Sequence, residues 1–191
     1  MVVMRQHRAL LVLVVFACLL SMTSCGGPAP ATPPGSSPSP AVPAAQPARA
    51  APSAAAKMIC ARETQTELAA VLGVRTTQPV VPAWTGHLYS CRYTYHHGFM
   101  VLSVKELSSQ AQTGGYFTSL AHRLGQAQRP QAIGRGAFFT TTNRSVVVRK
   151  DYKVLLVNIS GLPARFGAPP YPRADIAIKV AATIMDCWTG G

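Results

Sequence analysis

The stretch LYSCRYTYHHGFMVLSVKEL, Leu88 to Leu107, contains the pattern that decides the fold. Its two halves, LYSCRYTY and FMVLSVKEL, are rich in tyrosine, valine and leucine, which is typical of β-strands. Between them stand His96, His97 and Gly98, and a glycine at that place favours a turn. The stretch therefore predicts two strands joined by a hairpin turn.

The segment before this hairpin, TQTELAAVLG, predicts a short helix. Thr64 and Glu67 have the spacing of a capping box, in which each side chain binds a backbone N–H group at the helix start. Gly73 favours the helix end, because glycine readily adopts the left-handed conformation that ends many helices. The apolar side chains of this helix are Leu68, Val71 and Leu72.

The segment after the hairpin, GGYFTSLAHRLG, predicts a second helix that ends at Gly125. Its large apolar side chains recur at helical spacing, so that they share one face. They are Tyr116, Phe117, Leu120 and Leu124.

Three more strands and a last helix complete the chain. QAIGRGAFFTTT, SVVVRK and YKVLLVNIS predict strands, with tight turns at Asn143-Arg144 and at Lys150-Asp151. PPYPRADIAIKVAATIMDCW places prolines before a helix, as helix starts often do. The apolar side chains at helical spacing in that helix are Ile176, Val180, Ile184 and Cys187.

The predicted order is α-β-β-α-β-β-β-α. Hairpins without βαβ alternation favour an α+β fold, with an antiparallel sheet of about five strands and about three helices. We expect residues 58–191 to form this single domain, because its length is sufficient for one core.

Residues 1–24 have the features of a secretory signal peptide. Arg5 and Arg8 precede the apolar run ALLVLVVFACLL, which is shorter than the roughly 20 residues of a spanning helix. The run is followed by Met22-Thr23-Ser24-Cys25, which resembles the cleavage site of bacterial lipoproteins, although leucine is more usual at the position of Met22. We therefore expect Cys25 to be acylated and to become the first residue of the mature chain. An uncleaved anchor and an ordinary cleaved signal are the alternatives.

The segment of residues 25–57 predicts a disordered spacer after the lipidated Cys25. It is rich in proline and alanine and has no aromatic or acidic residue, so it cannot bury enough apolar surface to offset its ordering entropy. Its fully extended length is on the order of 95 Å at about 3.1 Å per residue.

Three cysteines remain in the exported chain if Cys25 is acylated and Cys18 leaves with the signal. An exported chain is in an oxidising compartment, where one disulfide and one free thiol are expected. We favour Cys60–Cys91, which would join the first helix to the first strand and leave Cys187 packed as a small apolar side chain. Cys60–Cys187 is the alternative pairing.

Several short motifs accompany this arrangement of cysteines: CARETQTELAAVLG, YSCRYTY, IGRGAFF and VVVRKDYKVLLVNISG. Together with the lipidated cysteine and the spacer, they resemble the small envelope lipoproteins of mycobacteria and related actinobacteria, which are built on a domain of unknown function. Cys187 departs from that pattern. The resemblance implies a membrane-anchored, non-catalytic protein on the outer face of the membrane, and it implies no substrate.

Residues suited to catalysis are few in this chain. Its six carboxylates are assigned to helix starts, a turn and other structural places, and no nucleophile elbow or phosphate-binding loop is present. His96 and His97, with His87 and His122 elsewhere, suggest a copper or zinc site, but adjacent histidines point to opposite faces of a strand, and a turn is the simpler interpretation. Cys91 as a nucleophile with a histidine is a further alternative.

The chain has 18 basic and 6 acidic residues, a formal net charge of +12. Such a charge favours anionic partners. No compact run of basic residues occurs, and we expect no nucleic-acid binding. We therefore expect a monomeric, non-catalytic binding or scaffolding lipoprotein on the extracytoplasmic face of the cell membrane, held there by the acyl chains of Cys25, with no cofactor or metal. An anionic lipid or a cell-wall fragment is the expected type of ligand. An envelope enzyme with a Cys/His site and a metal-binding lipoprotein are the alternatives.

Overall fold

The computed structural model describes residues 51–127, 133, 136–142 and 144–189. The signal peptide, Cys25 and most of the spacer lie outside these residues. Gly134 of the IGRGAFF motif and Asn143 of the predicted turn also lie outside them.

The described residues form an α+β fold with an antiparallel sheet, as the sequence predicts. The helices are α1 Ala54–Met58, α2 Arg62–Leu72, α3 Gln110–Leu124 and α4 Arg173–Thr189. The strands are β1 Pro82–Thr85, β2 Leu88–Tyr95, β3 Gly98–Glu106, β4 Ala137–Phe139, β5 Ser145–Lys150, β6 Lys153–Asn158, β7 Arg165–Phe166 and β8 Tyr171–Pro172.

The predicted hairpin of β2 and β3 lies inside a six-stranded sheet. The strand order is β1-β2-β3-β6-β5-β4, and each strand is antiparallel to its neighbours. Tyr95 pairs with Gly98, so that His96 and His97 form the predicted turn. β7 and β8 pair separately from this sheet.

Helices cover the two faces of the sheet unequally. Tyr93 and Leu102 belong to the larger buried cluster, on the face where α1, α2 and α4 pack. Val147 and Val154 belong to a second cluster on the opposite face, where α3 packs against β5 and β6. Within the part of the chain that the structure describes, the members of both clusters lie between residues 55 and 188. Among the described residues, no helix has both the length and the hydropathy that a membrane span requires.

The helix α2 begins earlier than its capping-box pattern predicts. Arg62 is its first residue, Ala61 is its N-cap without a side-chain hydrogen bond, and Thr64 is buried inside the helix. The capping-box prediction for Thr64 and Glu67 is therefore wrong. The predicted end is confirmed, because Gly73 has a left-handed conformation with φ +66°.

The element count exceeds the prediction because short elements carry a weak sequence signal. The helix α1 falls mostly within the segment predicted as spacer, where Ser53 accepts a hydrogen bond from the Ala56 N–H group and Ala56 is buried. Its alanine-rich sequence has the composition of the preceding spacer. The edge strand β1 begins at Pro82 and has only four residues, and β7 and β8 have two each.

A disulfide bond joins Cys60 to Cys91, the pairing that the sequence analysis favours. It connects the residues between α1 and α2 to the second strand of the sheet. The Tyr93 hydroxyl donates a hydrogen bond of 2.6 Å to the Ile59 carbonyl, beside the disulfide. Two adjacent bonds therefore hold the helical layer against β2.

The two ends of the sheet receive different parts of the chain. At one end, the Ser53 N–H group donates a hydrogen bond of 3.1 Å to the Glu106 carboxylate, at the last residue of β3. We call this the Ser53 end. The opposite end carries His96 and His97, next to the first residue of β3, and we call it the His97 end. The nine residues of β3 separate the two ends by roughly 27 Å at about 3.3 Å per residue.

Loss of the disulfide should weaken the fold considerably. The bond closes a loop with a sequence separation of 31 residues, which corresponds to about 3–4 kcal/mol in the chain-entropy model. We expect the free energy of unfolding of the Cys60→Ser/Cys91→Ser variant, measured by urea denaturation, to be lower by that amount. Cys187→Ser is the matched control. It keeps the disulfide, so adding a reductant should still lower its free energy of unfolding. A Cys60–Cys187 peptide in an unreduced digest would contradict the assignment.

Candidate functional site

A cleft of about 550 Å³ opens at the His97 end of the sheet. Three separate segments of the chain form it: the loop after α2, the end of β2 with its turn, and β7. Its lining residues are Val74, Arg75, Thr76, Thr77, Tyr95, His96, His97 and Phe166.

The floor of the cleft is aromatic. The rings of Tyr95 and Phe166 meet edge to face with centroids 4.9 Å apart, and each residue is 6% exposed. Burial raises the pKa of Tyr95 well above its ordinary value, so its hydroxyl stays neutral at physiological pH. The half-buried side chain of Val74 adds to this apolar surface.

One wall of the cleft is held in place by the end of α2. A Cβ atom at Gly73 would lie 1.9 Å from the Ala168 carbonyl oxygen, so only glycine fits there. The Leu72 carbonyl accepts a hydrogen bond of 2.8 Å from the Ala168 N–H group. At Thr77, four residues after Gly73, the backbone N–H group donates a hydrogen bond of 2.8 Å to the Thr94 carbonyl. The loop of residues 74–77 is thus attached to the fold at both of its ends.

The His96–His97 turn also lines the cleft, and its position too depends on glycine. Gly98 has φ +125°, and a Cβ atom there would lie 2.2 Å from the Gly161 carbonyl oxygen. That oxygen accepts a hydrogen bond of 3.1 Å from the Phe99 N–H group. The turn therefore packs directly on the chain after β6, and its two histidines remain exposed to solvent.

The rim of the cleft is cationic. Arg75 is exposed, and within the part of the chain that the structure describes it forms no hydrogen bond or ion pair. Other arginines nearby do have partners: Arg165 donates to the Pro170 carbonyl and Arg173 to the Leu162 carbonyl. None of the described lining residues is acidic. The rim therefore presents a guanidinium and two imidazoles to a ligand.

The histidines that the sequence analysis considers for metal binding are dispersed. The rings of His96 and His97 have centroids 6.5 Å apart. His87 lies in the β1–β2 turn with its ring 5.7 Å from that of Trp84, and His122 is exposed near the end of α3. Within the described residues, no three His, Cys, Asp or Glu side chains are grouped so that they could hold a metal ion.

Neither Cys91 nor Cys187 is suited to nucleophilic attack. The sulfur of Cys91 is bonded to that of Cys60 and is buried. Cys187 is only partly buried, and its thiol donates a hydrogen bond of 3.2 Å to the Glu67 carboxylate. The prediction that Cys187 packs in the apolar core is therefore wrong. Burial, the Glu67 hydrogen bond and the charges of Glu67 and Asp186 together raise the pKa of this thiol, which keeps it protonated and weakly reactive.

Two of the carboxylates share a second cleft, of about 500 Å³, between α2 and α4. Glu67 and Asp186 line it together with Cys187. Elsewhere, Glu63 and Asp175 lie in the first turns of α2 and α4, and Asp151 lies in the β5–β6 turn, as predicted. Glu106 accepts the hydrogen bond from Ser53.

More than half of the lining residues of the cleft could not be found from the sequence. Tyr95, His96 and His97 belong to the hairpin that the sequence predicts. Arg75 lies in a loop with no motif, and Phe166 lies in a two-residue strand. Tertiary contacts between distant segments bring these two residues to the hairpin: the Thr77 N–H group bonds to the Thr94 carbonyl, and the Phe166 ring packs on that of Tyr95.

No family model, no curated protein and no solved structure matches this chain. The resemblance to actinobacterial envelope lipoproteins therefore rests on the sequence motifs alone.

Gly98→Ala should distort the turn that carries the two histidines. A side chain there must adopt a left-handed conformation and displace the Gly161 backbone, which we expect to cost at least about 2 kcal/mol. Thermal unfolding should show a melting temperature lower by roughly 6 °C or more. Gly86→Ala is the matched control, because Gly86 has φ +55° but open space around its Cβ position. Equal losses in the two variants would show that the contact with Gly161 has no effect.

Alkylation of Cys187 should be slow and should depend on Glu67. Because its pKa is raised, the folded thiol contains less thiolate near pH 8 than an unfolded one, and it should react more slowly with iodoacetamide. Glu67→Gln removes a negative charge and should accelerate the reaction several-fold. Glu63→Gln makes the same charge change one turn earlier on α2 and should have little effect. An unchanged rate in Glu67→Gln would contradict this assignment.

Proposed function

We propose that this chain is a membrane-anchored extracytoplasmic lipoprotein whose domain acts as a non-catalytic binding module of the cell envelope. The acyl chains of Cys25 would hold it at the outer face of the membrane. Residues 74–77, the His96–His97 turn and Phe166 would form its binding site.

The observation that carries the proposal is the composition of the cleft. Its floor is aromatic, its rim carries Arg75, His96 and His97, and no described lining residue is acidic. An apolar surface with a few convergent polar groups is the usual form of a small-ligand site. The cationic rim agrees with the expected preference for an anionic lipid or a cell-wall fragment.

The position of the cleft also suits a tethered domain. The chain from the spacer reaches the fold at the Ser53 end, and the cleft lies at the His97 end, across the length of β3. A domain held by its N-terminal spacer can therefore present the cleft without obstruction by its own attachment point. The proposed spacer, with an extended length on the order of 95 Å, gives the domain room to do so.

Two findings favour binding over catalysis. The sulfur of Cys91 is in the disulfide, so the Cys91–histidine alternative lacks a nucleophile. The carboxylates that share a cleft, Glu67 and Asp186, lie between α2 and α4 and not in the cationic cleft. A cleft lined by cations, hydroxyl groups and aromatic rings offers contacts to an anion but no pair of acid and base carboxylates.

Replacement of the acylated cysteine tests the anchor. We expect Cys25→Ser to lose the acyl mass in intact-mass measurements and to move from the membrane fraction to the medium. Two acyl chains give stable attachment, whereas a chain without them has no comparable anchor.

Cys18→Ser is the matched control for that experiment. Cys18 lies in the apolar part of the predicted signal, so its replacement should leave both mass and fractionation unchanged. An unchanged mass and location in Cys25→Ser would overturn the proposed anchoring.

A further inference from the structure

We propose that the cleft at the His97 end binds an anionic amphiphile: a phosphate or carboxylate group carried on an apolar chain. The inference rests on the proposed function, because it names the ligand class of the same site. Within the cleft, Arg75 and the two histidines lie at the rim, and the apolar surface of Tyr95 and Phe166 lies at the floor.

The anionic group is assigned to the rim. Arg75 is exposed and has no partner among the described residues, so its guanidinium is available to a ligand. A guanidinium matches the two oxygens of a phosphate or carboxylate in a fork geometry. His96 and His97 line the same cleft and can donate from their ring nitrogens. An anion at the rim would therefore have donors available from two separate segments of the chain.

The apolar chain is assigned to the floor. Tyr95 and Phe166 present ring surface to the cleft, and Val74 adds an aliphatic surface. The Tyr95 hydroxyl is neutral at physiological pH, as tyrosine ordinarily is, and burial raises its pKa further. The floor therefore carries no charge that would repel a hydrocarbon or an anion. A free inorganic anion would leave this surface unused.

Many of the other described cations have partners within the fold, and those without a partner lie outside the cleft. Several basic side chains rest on aromatic rings, with Arg92 at 3.9 Å from the Phe99 ring centroid and Lys179 at 4.5 Å from that of Tyr171. Others donate to backbone carbonyls, as Lys150 does to that of Trp188. Arg75 therefore differs from these residues, because it has no partner in the described part of the chain and it lines a cleft of about 550 Å³.

The test uses three small probes that separate charge from apolar surface. Octyl phosphate has both, inorganic phosphate has only the charge, and octyl glucoside has only the chain. Calorimetric titration is done on residues 26–191, which contain every described residue and both buried clusters. We expect octyl phosphate to bind at least about tenfold more tightly than either other probe, because it alone can contact the arginine with its phosphate and the floor with its chain.

Variants then locate the bound probe. Arg75→Ala should raise the Kd for octyl phosphate about tenfold, the typical effect of losing a charge-assisted hydrogen bond. His96→Ala/His97→Ala should also raise it. Arg123→Ala is the matched control, because Arg123 is an exposed cation on α3 away from the cleft, and it should leave the Kd unchanged. Circular dichroism of each variant shows whether the fold is retained.

Each contrary outcome overturns the proposal. Equal affinity for inorganic phosphate would remove the role of the floor, and equal affinity for octyl glucoside would remove the role of the rim. Equal effects of Arg75→Ala and Arg123→Ala would place the probe outside the cleft. The test does not depend on acylation: absence of octyl phosphate binding leaves the Cys25 result standing, and an unacylated Cys25 leaves the binding result standing.

Discussion

The disulfide between Cys60 and Cys91 joins the helical layer to the sheet at one covalent point, and the position of the cleft follows from it. Beside it, the Tyr93 hydroxyl binds the Ile59 carbonyl. The helix α2 starts from this attachment and carries Gly73 and the loop of residues 74–77 to the end of β2. The cleft wall of residues 74–77 therefore depends on this bond at the start of α2 as well as on the hydrogen bonds of Leu72 and Thr77 at its end.

A shortage of carboxylates shapes the surface of the domain. With 18 basic and 6 acidic residues in the chain, most cations cannot find a carboxylate partner. Many are placed instead over aromatic rings or against backbone carbonyls, where cation–π attraction and hydrogen bonds offset part of their desolvation. Arg149 over Phe117 and Lys153 near Trp188 are examples. Arg75 has no such partner among the described residues, and unlike the other basic side chains without one it lines the cleft at the His97 end.

The fold class and the hairpin could be predicted because local patterns encode them. Strand composition, the His-His-Gly turn and the glycine after α2 each act over a few residues. The disulfide joins residues 31 apart, and the sequence favours it without excluding Cys60–Cys187. The helix α1 and the strand β1 could not be predicted, since five alanine-rich residues and four residues beginning with proline resemble loop sequence until the core covers them. The sequence does not predict the surroundings of Cys187 either. Helical spacing places this residue near the apolar face of α4, but the spacing cannot show that Glu67 of α2 approaches the thiol. The same limit applies to the cleft, where Phe166 meets Tyr95 only in the folded chain.

The assembly of the cleft from three separate segments has a thermodynamic consequence. Residues 74–77, the β2–β3 turn and β7 are adjacent only when the whole domain is folded, so the unfolded chain has no equivalent surface for a ligand. Occupancy and folding are therefore linked, and a ligand at one hundred times its Kd would add about 2.7 kcal/mol to the free energy of unfolding. An increase in the melting temperature of the domain would therefore report that a compound occupies the cleft, even when the structure of that compound is unknown.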